Sequence, residues 1–404
     1  MVGESFRSMR ILILTADYAD FLRWHYRMHP GLERASYEHQ LASRYDTLFG
    51  VADFYSLNFR ALGHQATEIF VNNAWLQCAW ANEHGMKVPL PLPPTNHVPG
   101  SGEMIMTMKR KLHPIRTVLA PLAKKLGYMA SLSQMLQKIL LAQVEAFEPD
   151  VILNQIPELV TSDIMSRTVR RNRILIVQHG NSPPANFDAR PYTFAIAIVP
   201  SIIEFFRAKG LPAEYYHLGF EPAVLDRLST APEKDIAVSF IGGLSSNHTQ
   251  RIALLEAVAS EFPIALHLSQ FAGIPSSSPL RRHVRGEVWG REMYEIMRRS
   301  KITLNSHIDA AGGVAANLRL YEATGVGTFL LTDNLRGLPD LFAPGTHVAA
   351  YNSAADCVSK IKHYLAHEAE REAIARAGQA HTLAHHNYRN RMQSILSLVT
   401  KYGN

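Results

Sequence analysis

The chain has 404 residues, 47% apolar and 19% charged, with 24 Gly, 22 Pro and 2 Cys. That profile excludes disordered, collagen-like and disulfide-stapled classes, and the length is enough for two domains, each with its own apolar core. With 41 Lys and Arg against 35 Asp and Glu the net charge is +6. Cys78 and Cys357 stand in unrelated contexts without metal-ligand spacing, which fits a reducing, cytoplasmic location.

The N-terminus runs straight from Arg10 into an apolar strand pattern, which predicts a strand there and not a cleavable signal peptide. No run of 18 apolar residues offers a membrane span. Short apolar runs alternate with helical-period segments, predicting α/β layers with parallel sheets. In the first half strands are predicted at 11–15, 67–71, 151–154, 174–178, 194–199 and 215–218. After the first of these comes Asp17, a candidate general base or acceptor-binding residue that N-capping of the next helix explains equally well. The proline-rich stretch 88–102 reads as a surface loop.

Residues 101–140 hold seven Lys and Arg against Glu103 alone, so this stretch carries the chain's whole net charge. Its apolar interleaving predicts a basic amphipathic helix, either resting on an anionic membrane surface or packed on the core with a solvated basic face. No aromatic-interleaved basic stripe points to nucleic acid. The strand at 174–178 is followed by His179 and Gly180, where an imidazole at a strand's carboxyl end can take a proton from a hydroxyl near neutral pH.

A polar, proline-bearing segment at 219–235 separates the halves, giving domains at 1–225 and 226–384 and a terminal helix at 385–404. Strands are predicted again at 236–241, 264–268, 284–288, 302–305, 328–332 and 347–351, and helices at 354–365, 368–378 and 386–400. Two doubly wound domains would bind ligands at the carboxyl ends of their strands, across a shared cleft. Candidate turns follow. Gly242 and Gly243 end one strand ahead of a helix bearing Arg251, which is either a ligand contact or a solvated surface arginine. Trp289 precedes another helix and is as readily a packing residue.

The most informative stretch is 305–342. A loop with Gly312 and Gly313 precedes a helix assigned Asn317, Arg319 and Glu322. A glycine pair ahead of a helix lets backbone N–H groups approach an anion. Arg319 offers a donor fork for a diphosphate, and Glu322 an acceptor for ribose hydroxyls. His307 and Asp309 lie just upstream of the glycine pair.

The order N-x-R-x-x-E-A-x-x-x-G, a strand ending T-D, L-P-D-L-F and H-x-Y-x-x-R, here Asn317 to Phe342 and His386 to Arg391, resembles the C-terminal domain of group 1 glycosyltransferases. It is closest to the branch with spore-maturation-protein-like enzymes. The resemblance covers about residues 236–400. It implies a GT-B fold, two Rossmann-like doubly wound domains facing across a cleft. The second would hold a nucleoside diphosphate sugar, the first a glycan or lipid-linked acceptor, and the last helix would cross back to the first.

In that reading Glu322 holds the ribose. Arg319, Gly242, Gly243, Arg251, Gly312 and Gly313 face the diphosphate, and the Trp289 turn holds the base through backbone groups. His179 contacts the donor sugar or its phosphate, acts as base, or is a structural histidine, and His307 and Asp309 approach the donor's sugar or lie on the loop surface. Val314 stands where retaining members carry a first glutamate, so the anomeric outcome is open. The resemblance implies no metal and no cofactor beyond the donor, and membrane contact would run through 101–140. An epimerase or hydrolase of the same fold, and a non-catalytic nucleotide-sugar-binding module, are the alternatives.

Overall fold

A strand forms at or beside each of the twelve predicted positions, most of them short apolar runs buried on both faces of a parallel sheet, while those at Ala213–Tyr215 and Val284–Gly286 are partly exposed edge strands. The computed structural model describes residues 8–89, 91, 116–180, 183, 184, 186–230, 232–244, 248–271, 274–307 and 313–403, with the backbone alone along 116–131. Most of the basic stretch 101–140, most of the loop 88–102, Asp309 and Gly312 therefore lie outside the described residues or side chains.

The first sheet is built by β1 (Arg10–Thr15), α1 (Ala19–Met28), α2 (Tyr37–Asp46), α3 (Phe54–Ala61), β2 (Gln65–Phe70), α4 (Ala74–Glu83), α5 (Arg116–Phe147), β3 (Val151–Asn154), α6 (Ser162–Ser166), β4 (Ile174–His179), β5 (Phe194–Ala197), α7 (Pro200–Ala208) and β6 (Ala213–Tyr215). Its strand order is β2-β1-β3-β4-β5-β6.

The second follows from β7 (Ile236–Gly242), α8 (Thr249–Glu261), β8 (Ile264–Leu268), β9 (Val284–Gly286), α9 (Gly290–Arg299), β10 (Ser300–Leu304), α10 (Arg319–Gly325), β11 (Leu330–Asp333), α11 (Leu338–Leu341), β12 (Ala349–Tyr351), α12 (Ala354–Ala366), α13 (Glu368–His385) and α14 (Tyr388–Tyr402). Its order, β12-β11-β10-β7-β8-β9, reverses direction between β7 and β10. Those two strands pair in parallel, Ile302 opposite Val238.

Two compact units are distinguished. One comprises Met1–Asp46, Gly63–Val177 and Pro184–Tyr192, the other Thr47–Leu62, Gln178–Pro183 and Thr193–Asn404. In the second unit Leu254, Leu255 and Val258 of α8 pack with Val238, Phe240, Ile302, Leu304 and Leu331 of the sheet. Each such side chain contributes about 1.5–3 kcal/mol on burial. No helix of the described residues is long and apolar enough to cross a membrane.

Several boundaries differ from expectation for local reasons. The strand at 194–199 stops at Ala197, since Pro200 sets the first turn of α7. The strand at 215–218 is displaced to Ala213–Tyr215, and Phe220 instead bridges to Asn387. α13 continues past Gly378 to His385. That glycine is there for close approach, because a Cβ on it would lie 2.3 Å from the His347 carbonyl oxygen. α14 begins at Tyr388, where the Asn387 side chain accepts from the Asn390 N–H at 2.9 Å.

Candidate functional site

The β7–β10 reversal is where an open α/β sheet presents its ligand crevice, outside the carboxyl ends of the strands. At that edge β7 ends in Gly242, β10 leads into Asn305, Ser306 and His307, and β11 ends at Asp333. The residues between these ends are stitched together by buried polar side chains.

Arg251, the third residue of α8 and 9% exposed, donates from Nη1 to the Gly243 carbonyl at 3.1 Å and from Nη2 to the Ser306 carbonyl at 2.7 Å. It is therefore neither a solvated surface arginine nor purely a ligand contact. It staples the turn after β7 to the turn after β10, with its guanidinium 5.7 Å from the Phe240 ring centroid.

Asn317 lies before α10, not on it, because the helix begins at Arg319. Its amide exchanges hydrogen bonds with Asn305, donating at 2.9 Å and accepting at 3.3 Å. Asn305 also donates to the Thr332 hydroxyl at 3.0 Å, and its carbonyl accepts from the Tyr351 hydroxyl at 2.9 Å.

Arg319 and Glu322, one turn apart, face each other: Nη1 is 2.8 Å from Oε2, with side chains 15% and 7% exposed. Burial raises the Glu322 carboxyl above its ordinary value, and the Arg319 charge works the other way. Arg319 also lies 3.1 Å from Met293 Sδ and reaches the Ile241 carbonyl, near the end of β7, at 3.4 Å. The two charges read separately as ligand contacts thus form a buried pair, the arrangement that makes such charges tolerable.

The expected glycine pair is only half described, and the helix does not follow it directly. Gly313 has φ +72°, and Ala315 donates to the Arg336 carbonyl while Arg336 donates to that of Gly313, so the segment is held as a short bridge. Next to it Ile198, His217, Leu218, Ala315, Ala316 and Tyr321 line a small cleft. Gly325, the last residue of α10, serves packing: the Phe220 ring sits 2.3 Å from where its Cβ would be.

His179 ends β4 and is 5% exposed. A Cβ on its neighbour Gly180 would touch Ile198 of the cleft at 3.4 Å, so this turn and Ala315 border one neighbourhood of the second unit. Trp289 is a packing residue, 6% exposed and edge-on to Phe49 at 4.8 Å. The turn it opens is covered by the segment at 47–49, where the Arg291 N–H donates to the Thr47 carbonyl at 2.8 Å.

Asp17 belongs to the first unit. It does not cap α1, whose preceding residue Tyr18 makes no side-chain cap bond. Instead both carboxylate oxygens accept from Arg44, at 2.6–3.0 Å, in a pair with side chains 1% and 3% exposed. That guanidinium also lies 4.6 Å from the Phe21 and Phe70 ring centroids.

The sequence pointed less clearly to His307. It is buried, not on the loop surface, with Nδ1 2.6 Å from Asp333 Oδ1. The signal available for it was a histidine shortly past one strand and an aspartate ending the next. Among the described residues no group of three or more His, Cys, Asp or Glu is placed to hold a metal ion.

Residues 251–397 match the family model described as glycosyl transferase-like. No curated protein matches the chain. Among solved structures, Anabaena HepE in complex with UDP-glucose is 14% identical with a TM-score of 0.55, covering 97% of this chain and 100% of its own. Sucrose-phosphate synthase from Thermosynechococcus elongatus is 12% identical at 0.55, covering 98% and 99%. A glycosyltransferase from Rickettsia africae is 10% identical at 0.53, covering 98% and 99%. With two doubly wound parallel sheets and these neighbours, the fold is GT-B.

Proposed function

We propose that the chain is a glycosyltransferase that moves a sugar from a nucleoside diphosphate to a hydroxyl of a glycan or lipid-linked acceptor. One observation carries this reading. The segment matching the glycosyl transferase-like family, residues 251–397, supplies Arg251, Asn305, Asn317, Arg319, Glu322 and Asp333 to the stitched carboxyl edge beside the β7–β10 reversal. That HepE is solved with UDP-glucose and with UDP supports a nucleotide-sugar donor.

In this proposal charge growing on the leaving diphosphate is met by backbone N–H groups of Gly242, Gly243, Gly312 and Gly313, with Arg319 contributing positive potential. Arg251 holds the two turns in register so that those groups are fixed before the reaction. Glu322 takes the ribose, and the Trp289 turn the base. His179 is the better of the two proton acceptors considered, because Asp17 could accept a proton only by giving up its bidentate hold on Arg44. No metal or separate cofactor enters the scheme. Placement in the spore-maturation-protein-like branch, a part in surface polysaccharide or glycoconjugate synthesis, and cytoplasmic residence with peripheral membrane contact through 101–140 belong to the same proposal.

The test is thermal stabilisation by UDP, GDP, CMP, dTDP and ADP, since a ligand at 100 times its Kd adds about 2.7 kcal/mol to the folded state. One nucleotide is expected to stabilise the protein, and its sugar derivative to release that nucleotide only when an acceptor is supplied. Stabilisation by none refutes the donor site. Consumption of the sugar nucleotide without acceptor, giving an epimer or free sugar, refutes transfer.

A further inference from the structure

His307 carries a hydrogen-bonding atom that the described residues leave unsatisfied. Its side chain is 2% exposed, and Nε2 is buried without a hydrogen-bond partner. Everything else about the ring is fixed. Nδ1 is 2.6 Å from Asp333 Oδ1, and the His307 N–H donates to Asp333 Oδ2 at 2.9 Å. The residue before it, Ser306, is held through its carbonyl by Arg251.

The state of Asp333 sets the tautomer of a neutral ring. Burial works to raise its carboxyl, but the His307 ring and N–H and the Thr332 hydroxyl outweigh it and hold the carboxyl below its ordinary value. At neutral pH Asp333 is therefore a carboxylate, which can only accept hydrogen bonds. The proton between the two groups then sits on Nδ1, and in a neutral imidazole Nε2 is left as a bare acceptor. A buried acceptor without a donor forfeits its hydration with nothing in return. A ligand that supplies the donor recovers that cost.

We propose that His307 Nε2 accepts a hydrogen bond from a hydroxyl of the donor's sugar, and that Asp333 is the positioning residue that selects this tautomer. The proposal rests on the nucleotide-sugar reading above. Diphosphate oxygens are acceptors and have no proton to offer a neutral Nε2. The ribose hydroxyls are assigned in that reading to Glu322, which leaves the hydroxyls of the transferred sugar. The Asp333–His307 pair thereby distinguishes the sugar nucleotide from the bare nucleotide.

The experiment compares calorimetric binding of UDP and UDP-glucose, with GDP and GDP-mannose, and ADP and ADP-glucose, as second and third pairs. The proteins are wild type, His307→Leu and Asp333→Asn. His307→Leu is expected to weaken the sugar nucleotide about 10- to 100-fold while leaving the bare nucleotide within about twofold, which also shows that the variant is folded. Asp333→Asn is expected to weaken the sugar nucleotide as well, because an amide N–H facing Nδ1 moves the ring proton to Nε2 and turns the acceptor into a donor.

Equal loss for nucleotide and sugar nucleotide would assign His307 to the phosphate, ribose or base and overturn the proposal. No loss for either would make it a purely structural histidine and overturn it too. Nitrogen-15 NMR of histidine-labelled protein gives a readout that needs no ligand: the proton on Nδ1 supports the proposal, a proton on Nε2 refutes it. If wild type binds no member of any pair, the nucleotide-sugar reading fails and this proposal falls with it. That outcome is distinct from the others, in which wild type binds.

Discussion

Replacing Gly290 with alanine should cost the second unit about 2–5 kcal/mol, from three contributions the structure separates. Gly290 has φ +52°, and an L-residue there costs roughly 1–2 kcal/mol. Its Cβ would lie 1.9 Å from the Thr47 carbonyl oxygen and 3.0 Å from the Phe49 nitrogen, so the segment at 47–49 must retreat by about 1.5 Å to reach ordinary contact. Retreat breaks the 2.8 Å bond from the Arg291 N–H to the Thr47 carbonyl, worth about 0.5–1.5 kcal/mol. It also separates the Phe49 ring from Trp289, worth another 0.5–1.5 kcal/mol or so. Urea unfolding of wild type, Gly290→Ala and Gly286→Ala measures the clash directly. Gly286 has φ +97° with nothing within 4 Å of its Cβ position, so its variant carries the backbone cost alone. A loss at Gly290 no greater than at Gly286 would refute the claim that the 47–49 segment is locked onto this turn.

The pair Arg319–Glu322 gives a second prediction. Glu322→Ala leaves a buried guanidinium unpaired and should cost about 3–5 kcal/mol without any ligand present, whereas Glu322→Gln keeps an acceptor for Arg319 and should cost less. Urea midpoints that rank the two variants equally would refute the pairing. The third concerns acid. Burial first, and then Arg391 and the neighbouring His381 and His217, lower the His386 pKa from 6.5 to about 4, against the Leu341 carbonyl that favours its charge. The folded ring stays neutral while the unfolded one charges, so its stabilisation is intact above pH 6.5 and is lost as pH falls towards 4, by at most about 3 kcal/mol. Unfolding free energies of wild type and His386→Gln measured from pH 7 to 4.5 should converge. Parallel curves would refute it.

What the sequence made legible was whatever depends on local composition. A parallel strand covered on both faces must be apolar throughout, so β1, β4 and β7 stand out from their surroundings as short runs of Ile, Leu, Val and Phe. Strand ends were less legible, because they depend on what the next residues pack against. Gly378 looks like a helix stop until the close His347 carbonyl shows why no side chain fits. The carboxyl-edge turns were located by position, and Asn317, Arg319 and Glu322 were picked out as a group. What spacing could not decide was whether these side chains face a ligand or one another.

That ambiguity has a physical origin, and it bears on how the site is built. An arginine and a glutamate three residues apart on a helix satisfy each other as readily as they satisfy a diphosphate and a ribose. The choice depends on burial, which only the fold supplies. Asp17 and Arg44, 27 positions apart, and His307 and Asp333, 26 apart, meet only because strand register and helix packing bring them together. In three of these cases, Arg251, the Arg319–Glu322 pair and the Asp17–Arg44 pair, charge is spent on the protein's own groups. His307 is different, since Asp333 fixes one side of the ring and leaves the other buried and unanswered. The Asp333→Asn variant is therefore the sharper test of the edge as a binding site: it keeps the size and the backbone bond of residue 333, removes its charge and changes which ring nitrogen holds the proton.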